Sequence, residues 1–129
     1  MEKEWNKIFI TPNQFQNDII ALSKLIPENE FKNIYGIPRG GSIVEVYLSH
    51  FCKLNVTSKQ SIAFLETLIV DDIADTGLTL TPYKNFKIAT VYYKPRSKIK
   101  PDYYVREVNN SDWIVFPWEC NQEIPNREV

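Results

Sequence analysis

The chain has 129 residues, of which 43% are hydrophobic and 24% charged, and its formal net charge is −1. That length suits one domain with a real core, and the charge balance excludes a bulk nucleic-acid or membrane-surface binder, which needs a basic stripe to neutralise many phosphates. The first residues lead into no long apolar run, so neither a signal peptide nor a membrane span is expected. Cys52 and Cys120 show neither metal-ligand spacing nor a disulfide framework, and the expectation is a reduced, cytoplasmic protein.

In chain order, residues 5–10 read as a short strand. Thr11 then reads as an N-cap, with Pro12 at the first helical position and Gln14 completing a capping box. Phe15, Ile19, Leu22 and Ile26 follow at steps of four, three and four and form one helical stripe that Pro27 ends. Residues 33–37 look like the first core strand. The loop that leaves it, residues 38–42, is rich in glycine, and Ile43, Val44, Tyr47, Leu48 and Phe51 recur beyond it at helical spacing. Strand, glycine loop and helix make a candidate phosphate site: Gly40 and Gly41 let backbone approach an anion, and Arg39 can add a bidentate charged contact. His50, alone near the helix end, is assigned no role.

Residues 54–56 start a second strand, and residues 57–66 connect it to the most informative stretch. There Leu68, Ile69 and Val70 read as a strand buried on both faces, expected to stop at Asp71 and Asp72. Adjacent strand residues point to opposite faces, so two acids suit the strand's C-terminal end, facing solvent or a polyhydroxyl ligand. In Asp75, Thr76, Gly77, Leu78 and Thr79, the glycine permits a tight turn. Its backbone N–H groups and hydroxyls would form an anion nest at a helix N-terminus. The segment thus combines acid, hydroxyl-binding and phosphate-binding groups, as a sugar phosphate requires. A short helix at residues 80–82, a strand over 86–93 ended by Lys94 and Pro95, a solvated basic connector over 96–100 and a last core strand over 102–105 follow. Residues 112–119 hold three aromatics, a pattern that taken alone belongs to a core. From Asn121 onward the chain is polar and expected to be loosely held.

The pattern of four apolar residues, two acids, two variable residues and Asp-Thr-Gly-x-Thr closely resembles the 5-phosphoribosyl-1-pyrophosphate (PRPP) motif of the type I phosphoribosyltransferases. The run from Gly36 to Gly41, Gly-Ile-Pro-Arg-Gly-Gly, resembles the pyrophosphate loop of the 6-oxopurine enzymes, where a strained, often cis, peptide sits at the position matching Arg39-Gly40. The order of Lys94-Pro95, Asp102 to Val105, Trp113-Ile114 and Pro117-Trp118-Glu119 resembles the purine end of the xanthine-guanine phosphoribosyltransferases.

The resemblance implies an α/β fold with a doubly wound, mainly parallel sheet in a single domain over residues 1–129. Its core would span about 30–105, with a small hood from the chain termini, about 1–12 and 106–120, over the base. It implies Mg²⁺-dependent transfer of the phosphoribosyl group from PRPP to guanine, xanthine or hypoxanthine. Asp71 and Asp72 would face the ribose and the Mg²⁺, partly through water. Residues Asp75, Thr76, Gly77, Leu78 and Thr79 would take the 5′-phosphate, and Arg39, Gly40 and Gly41 the pyrophosphate. Lys94 would meet the 6-oxo group, Trp113 would stack on the ring, and backbone near Ile114 would read the 2-position. Asp75 would also receive the proton of purine N7. A homo-oligomer, dimer or tetramer, is expected. In one respect the chain departs from the family: residues 57–66 are short for the mobile loop that closes these enzymes. A PRPP- or nucleotide-sensing module without turnover is the alternative reading.

Overall fold

The computed structural model describes residues 6–62 and 65–119. The expectations for Cys120 and for the tail from Asn121 lie outside the described residues, as does Trp5 at the head of the first strand. That strand, β1, spans Asn6–Phe9, and the helix after it, α1, spans Pro12–Leu25. Thr11 caps α1 by accepting a 3.1 Å bond from the Gln14 backbone N–H. The helix stops because Ile26 is extended ahead of Pro27, whose ring disfavours a helical predecessor. Phe15, Ile19 and Leu22 on its stripe are buried, each worth roughly 1.5–3 kcal/mol relative to exposure.

Next come β2 (Asn33–Gly36), α2 (Gly40–Phe51) and β3 (Asn55–Val56), then β4 (Thr67–Ala74), β5 (Lys87–Tyr93), β6 (Tyr103–Glu107) and β7 (Asp112–Val115). Five strands form one sheet in the order β3-β2-β4-β5-β6, every neighbour parallel. The chain winds from β2 outward to β3 on one side, then crosses to β4, β5 and β6 on the other. The order therefore reverses beside β2, and a crevice opens at the C-terminal ends of β2 and β4, where ligands bind in such sheets. Both α-helices pack on one face, where Ile19 and Leu22 of α1 and Val44 and Leu48 of α2 join Ile34, Leu68 and Val70 of the sheet in one core. Tyr35, Ile69, Leu80, Ile88 and Tyr93 form the core of the other face, which is closed by side chains of loops and of a 3-10 turn. Strands β1 and β7 stand apart as a two-stranded parallel sheet, with Asn6 opposite Asp112 and Phe9 opposite Val115.

Three expectations are corrected. β4 does not stop at Val70; it continues through both acids, pairing Asp71 with Thr90 and Ile73 with Tyr92. α2 begins at Gly40, inside the expected loop, with Arg39 at its N-cap position in a helical conformation. The segment after Thr79 forms a 3-10 turn over Thr81–Tyr83, because Pro82 and the start of β5 at Lys87 leave no room for an α-helix. The expected helix N-terminus behind the phosphate loop is therefore absent.

One buried polar cluster ties the layers together. Asp18 on α1 accepts a 2.6 Å bond from the Tyr92 hydroxyl of β5 and a 2.8 Å bond from the Arg106 guanidinium of β6. Burial, and then the bond to Asp18, push the Tyr92 hydroxyl well above the usual tyrosine range. Tyr92 also packs on Phe116, with ring centroids 5.7 Å apart, which links this cluster to the segment after β7.

Candidate active site

The two loops at the crevice meet through glycine. A Cβ at Gly40 would lie 1.9 Å from Asp72 Oδ2, and one at Gly41 would lie 2.7 Å from the Val70 carbonyl and 3.2 Å from Asp71 Oδ1. Both carboxylates thus lie against the first turn of α2. Only hydrogen at those two positions leaves room for them, and the helix N-terminus favours negative charge. Asp71 is 8% exposed, and its Oδ1 accepts a 2.8 Å bond from the Asp72 backbone N–H. Burial first, and the neighbouring Asp72 charge second, raise the Asp71 carboxyl to about 8, while a bond from the Thr79 hydroxyl acts the other way. Burial also raises Asp72, with the charge of Glu119 adding to it. Glu45, one turn further along α2, accepts a 2.7 Å bond from the Gly36 N–H and is raised by burial as well. The cis peptide of the loop joins Pro38 to Arg39, one bond earlier than expected.

On the other side of Asp72, a cavity of about 480 Å³ opens between the main sheet and β7. Asp72, Asp75, Lys94 and Arg96 line its sheet side, and Trp113, Ile114 and Glu119 line the side toward β7. Lys94 is 2% exposed, and its Nζ lies 3.3 Å from Asp75 Oδ1. The loop after β5 is pinned in place: the Lys94 N–H donates to the Ala74 carbonyl and the Lys98 N–H to the Thr76 carbonyl, each at 2.9 Å. Gly77 is left-handed at φ +88°, and its α-carbon faces that loop closely; a Cβ there would lie 2.7 Å from the Lys98 nitrogen. Trp113 is 42% exposed, with Lys7 Nζ 4.6 Å from its ring centroid. Glu119 accepts a 2.8 Å bond from the Phe116 N–H, which closes the turn after β7.

Of the sequence-predicted site residues, this cavity brings together Asp72, Asp75, Lys94, Trp113 and Ile114. Arg39, Gly40, Gly41, Asp71 and the stretch Thr76, Gly77, Leu78 and Thr79 lie outside its lining, next to it through the Gly40–Asp72 and Asp71–Thr79 contacts. Arg96 is a residue that the sequence pattern alone leaves in a solvated connector. Its Nε donates to Asp75 Oδ1 at 2.9 Å, and a terminal nitrogen bonds the same oxygen. The signal that could have found it is its place two residues after Lys94, across a proline that turns the chain. Glu119 was read within the aromatic segment and the purine-end resemblance, without a role of its own. A larger cavity, about 600 Å³, lies at the opposite end of the sheet among Lys24, Glu28, Cys52 and Lys53, away from every predicted site residue.

A parallel sheet whose winding reverses beside a glycine loop and two adjacent carboxylates, next to a cavity with a buried ammonium and an exposed indole, defines an α/β protein with a polar site at its switch point. The phosphoribosyl transferase domain profile matches residues 40–123. The sequence is 30% identical to a xanthine-guanine phosphoribosyltransferase of Nitratidesulfovibrio vulgaris, over 89% of this chain and 86% of that protein. Its fold superposes with a TM-score of 0.76 on a purine phosphoribosyltransferase from Pyrococcus horikoshii, 31% identical, covering 88% of this chain and 94% of that one. A xanthine-guanine-hypoxanthine phosphoribosyltransferase of Helicobacter pylori shares the fold at a TM-score of 0.74 and 22% identity, covering 93% and 97%. The chain belongs to the phosphoribosyl transferase family, and its class is that of an enzyme, a pentosyltransferase. Among the described residues, no helix is long and apolar enough to cross a membrane.

Proposed function

We propose that this protein transfers the 5-phosphoribosyl group of PRPP to a 6-oxopurine, giving a purine nucleoside monophosphate and pyrophosphate, with Mg²⁺ as cofactor. The observation that carries the reading is the side-by-side pair of Lys94 and Asp75, 3.3 Å apart, on the wall of a cavity that Trp113 and Ile114 share. A 6-oxopurine with its proton on N7 presents an acceptor and a donor on one edge, and an ammonium beside a carboxylate is the complement of that edge. The names of the relatives agree, being xanthine-guanine and purine enzymes.

The reaction breaks the bond from C1 of the ribose to pyrophosphate and forms one to purine N9 through an oxocarbenium-like state, so it depends on positioning and on stabilising separated charge. Arg39, Gly40 and Gly41 hold the leaving pyrophosphate, and the Asp75 to Thr79 loop holds the 5′-phosphate. Trp113 supplies a stacking face, and backbone near Ile114 meets the 2-position. Asp75 takes the N7 proton as the bond to N9 forms. The donor set at Asp71 and Asp72 fits a hard divalent cation: two adjacent carboxyl groups raised by burial are relieved by positive charge, and Mg²⁺ commonly rests on one or two carboxylates plus substrate oxygens. Among the described residues no third acid, cysteine or histidine joins them in a cluster, in keeping with ligands supplied by substrate and water. Asp71 and Asp72 would hold the ion, partly through water, and it would supply positive charge to offset that of pyrophosphate.

The test is product formation from PRPP with guanine, xanthine, hypoxanthine or adenine, alongside PRPP binding by calorimetry. Turnover of 6-oxopurines and not of adenine supports the proposal; adenine used as well as guanine overturns the base assignment. PRPP binding without turnover of any base favours a sensing module instead, to which the short connection over residues 57–66 lends support. A dimer or tetramer belongs to the same proposal, and light scattering during gel filtration checks it.

A further inference from the structure

We propose that Arg96 is a positioning residue for the base: it keeps Asp75 ion-paired while Lys94 turns from Asp75 to the 6-oxo group of the incoming ring. The inference rests on the purine reading above and adds a residue to which neither the motif nor the basic connector had given a role. Lys94 and Arg96 bind the same oxygen, Asp75 Oδ1, from the same wall of the cavity. Lys94 is almost wholly out of water. An ammonium that turns toward a ring carbonyl gives up part of its contact with the carboxylate, and a carboxylate that loses counter-charge in a partly closed site is costly to leave uncompensated.

Arg96 answers that cost geometrically. Its guanidinium is a rigid fork that meets one carboxylate oxygen with two N–H groups, and it is always charged. Its backbone is fixed from both sides: the Arg96 N–H donates to Asn110 Oδ1 at 2.9 Å, and the Ser97 N–H donates to the Lys94 carbonyl at 2.9 Å. The first bond ties the loop to the turn before β7, so the fork is carried by the same segment that leads to Trp113. The two cations therefore divide one task. Arg96 stays on Asp75, and Lys94 moves between Asp75 and the ring.

The experiment compares wild type, Arg96→Gln, Arg96→Lys, Asp75→Asn and the double variant Asp75→Asn/Arg96→Gln, by steady-state kinetics with guanine and calorimetry with PRPP and Mg²⁺. Arg96→Gln keeps an amide donor without charge, and it is expected to raise KM for guanine about tenfold or more while PRPP affinity stays within about twofold. Arg96→Lys keeps the charge but loses the two-pronged contact, and its KM for guanine is expected to lie between those of wild type and Arg96→Gln; should the glutamine variant fail to fold, an unchanged KM in the lysine variant overturns the idea. In the Asp75→Asn background, Arg96→Gln is expected to add less than about twofold, since its effect runs through that carboxylate. An unchanged KM in Arg96→Gln, a full effect in both backgrounds, or a matching loss of PRPP affinity would each overturn the proposal alone. Absence of wild-type turnover would overturn the purine reading and this inference with it.

Discussion

Asp71→Asn is expected to make the ligand-free protein more stable and, at the same time, to remove its Mg²⁺-dependent binding of PRPP. The fold raises this carboxyl from 3.8 to about 8, through burial first and the Asp72 charge second. An unfolded chain releases that proton near the ordinary value, whereas the folded chain holds it far longer, so between the two the native state binds more protons. Stability from this group is thus fully present below the unfolded value and is lost as pH rises through the folded one. Making an acid tenfold weaker on folding costs on the order of 1 kcal/mol once it is ionised, so even one such tenfold step belonging to Asp71 itself lowers stability by roughly 1 kcal/mol at pH 8. For a domain of this size that is roughly 3–6 °C in melting temperature. Asparagine carries no charge at any pH and removes the loss. The assay is thermal unfolding without ligand from about pH 5.5 to about pH 8.5, where wild type should fall steadily and Asp71→Asn should stay flatter and end higher. Calorimetry with PRPP and Mg²⁺ at the upper pH should then show binding by wild type and not by the variant. A wild-type melting temperature that climbs across that range, or a variant with the wild-type slope, refutes the reasoning.

Asp75→Asn keeps size and backbone donors but loses the proton-accepting oxygen; kcat is expected to fall roughly 10²–10⁴-fold with PRPP affinity little changed, as steady-state kinetics and calorimetry will show. Gly40→Ala would put a methyl group 1.9 Å from Asp72 Oδ2, so PRPP binding measured by calorimetry should be lost even if circular dichroism shows a folded chain. Asp18→Ala strips the Tyr92 hydroxyl of its buried acceptor and is expected to cost about 2–3 kcal/mol in urea unfolding, far more than the same change at an exposed acid. The short connection over residues 57–66 should let water compete with the purine, so ribose 5-phosphate is expected alongside nucleotide when both are quantified during turnover; nucleotide alone would mean that the site is closed by other means.

Much of the scaffold was legible from local pattern. The stripe from Phe15 to Ile26, capped by Thr11 and ended before Pro27, is a property of neighbouring residues, and so is the buried apolar run at Leu68 to Val70. What was not legible depends on approach between distant segments. That β4 carries Asp71 and Asp72 inside the sheet follows from Gly40 and Gly41 making room for them, a fact of packing some thirty residues away. Arg96 was read as solvated because a basic run usually is; its bond to Asp75 exists because the loop after β5 is laced to Ala74, Thr76 and Asn110. The cavity's lining of Asp75, Lys94, Trp113 and Ile114 was named in advance from the family resemblance rather than from spacing, since nothing in the separation of these residues says that they meet.

The parallel pairing of β1 with β7 sets an order on how the site can be assembled. Asn6 lies opposite Asp112, so the wall bearing Trp113 and Ile114 is joined to a strand from the far end of the chain. The side of Asp71, Asp72 and Gly40 is complete once β4 has paired with β2 and with β5, before β7 is synthesised. A nascent chain emerging from the ribosome can therefore form its acidic, glycine-lined half early, and it must keep β1 unpaired until the last strand arrives. The closing of that long loop, slow compared with the local pairings, is the step at which a half-site becomes a whole one.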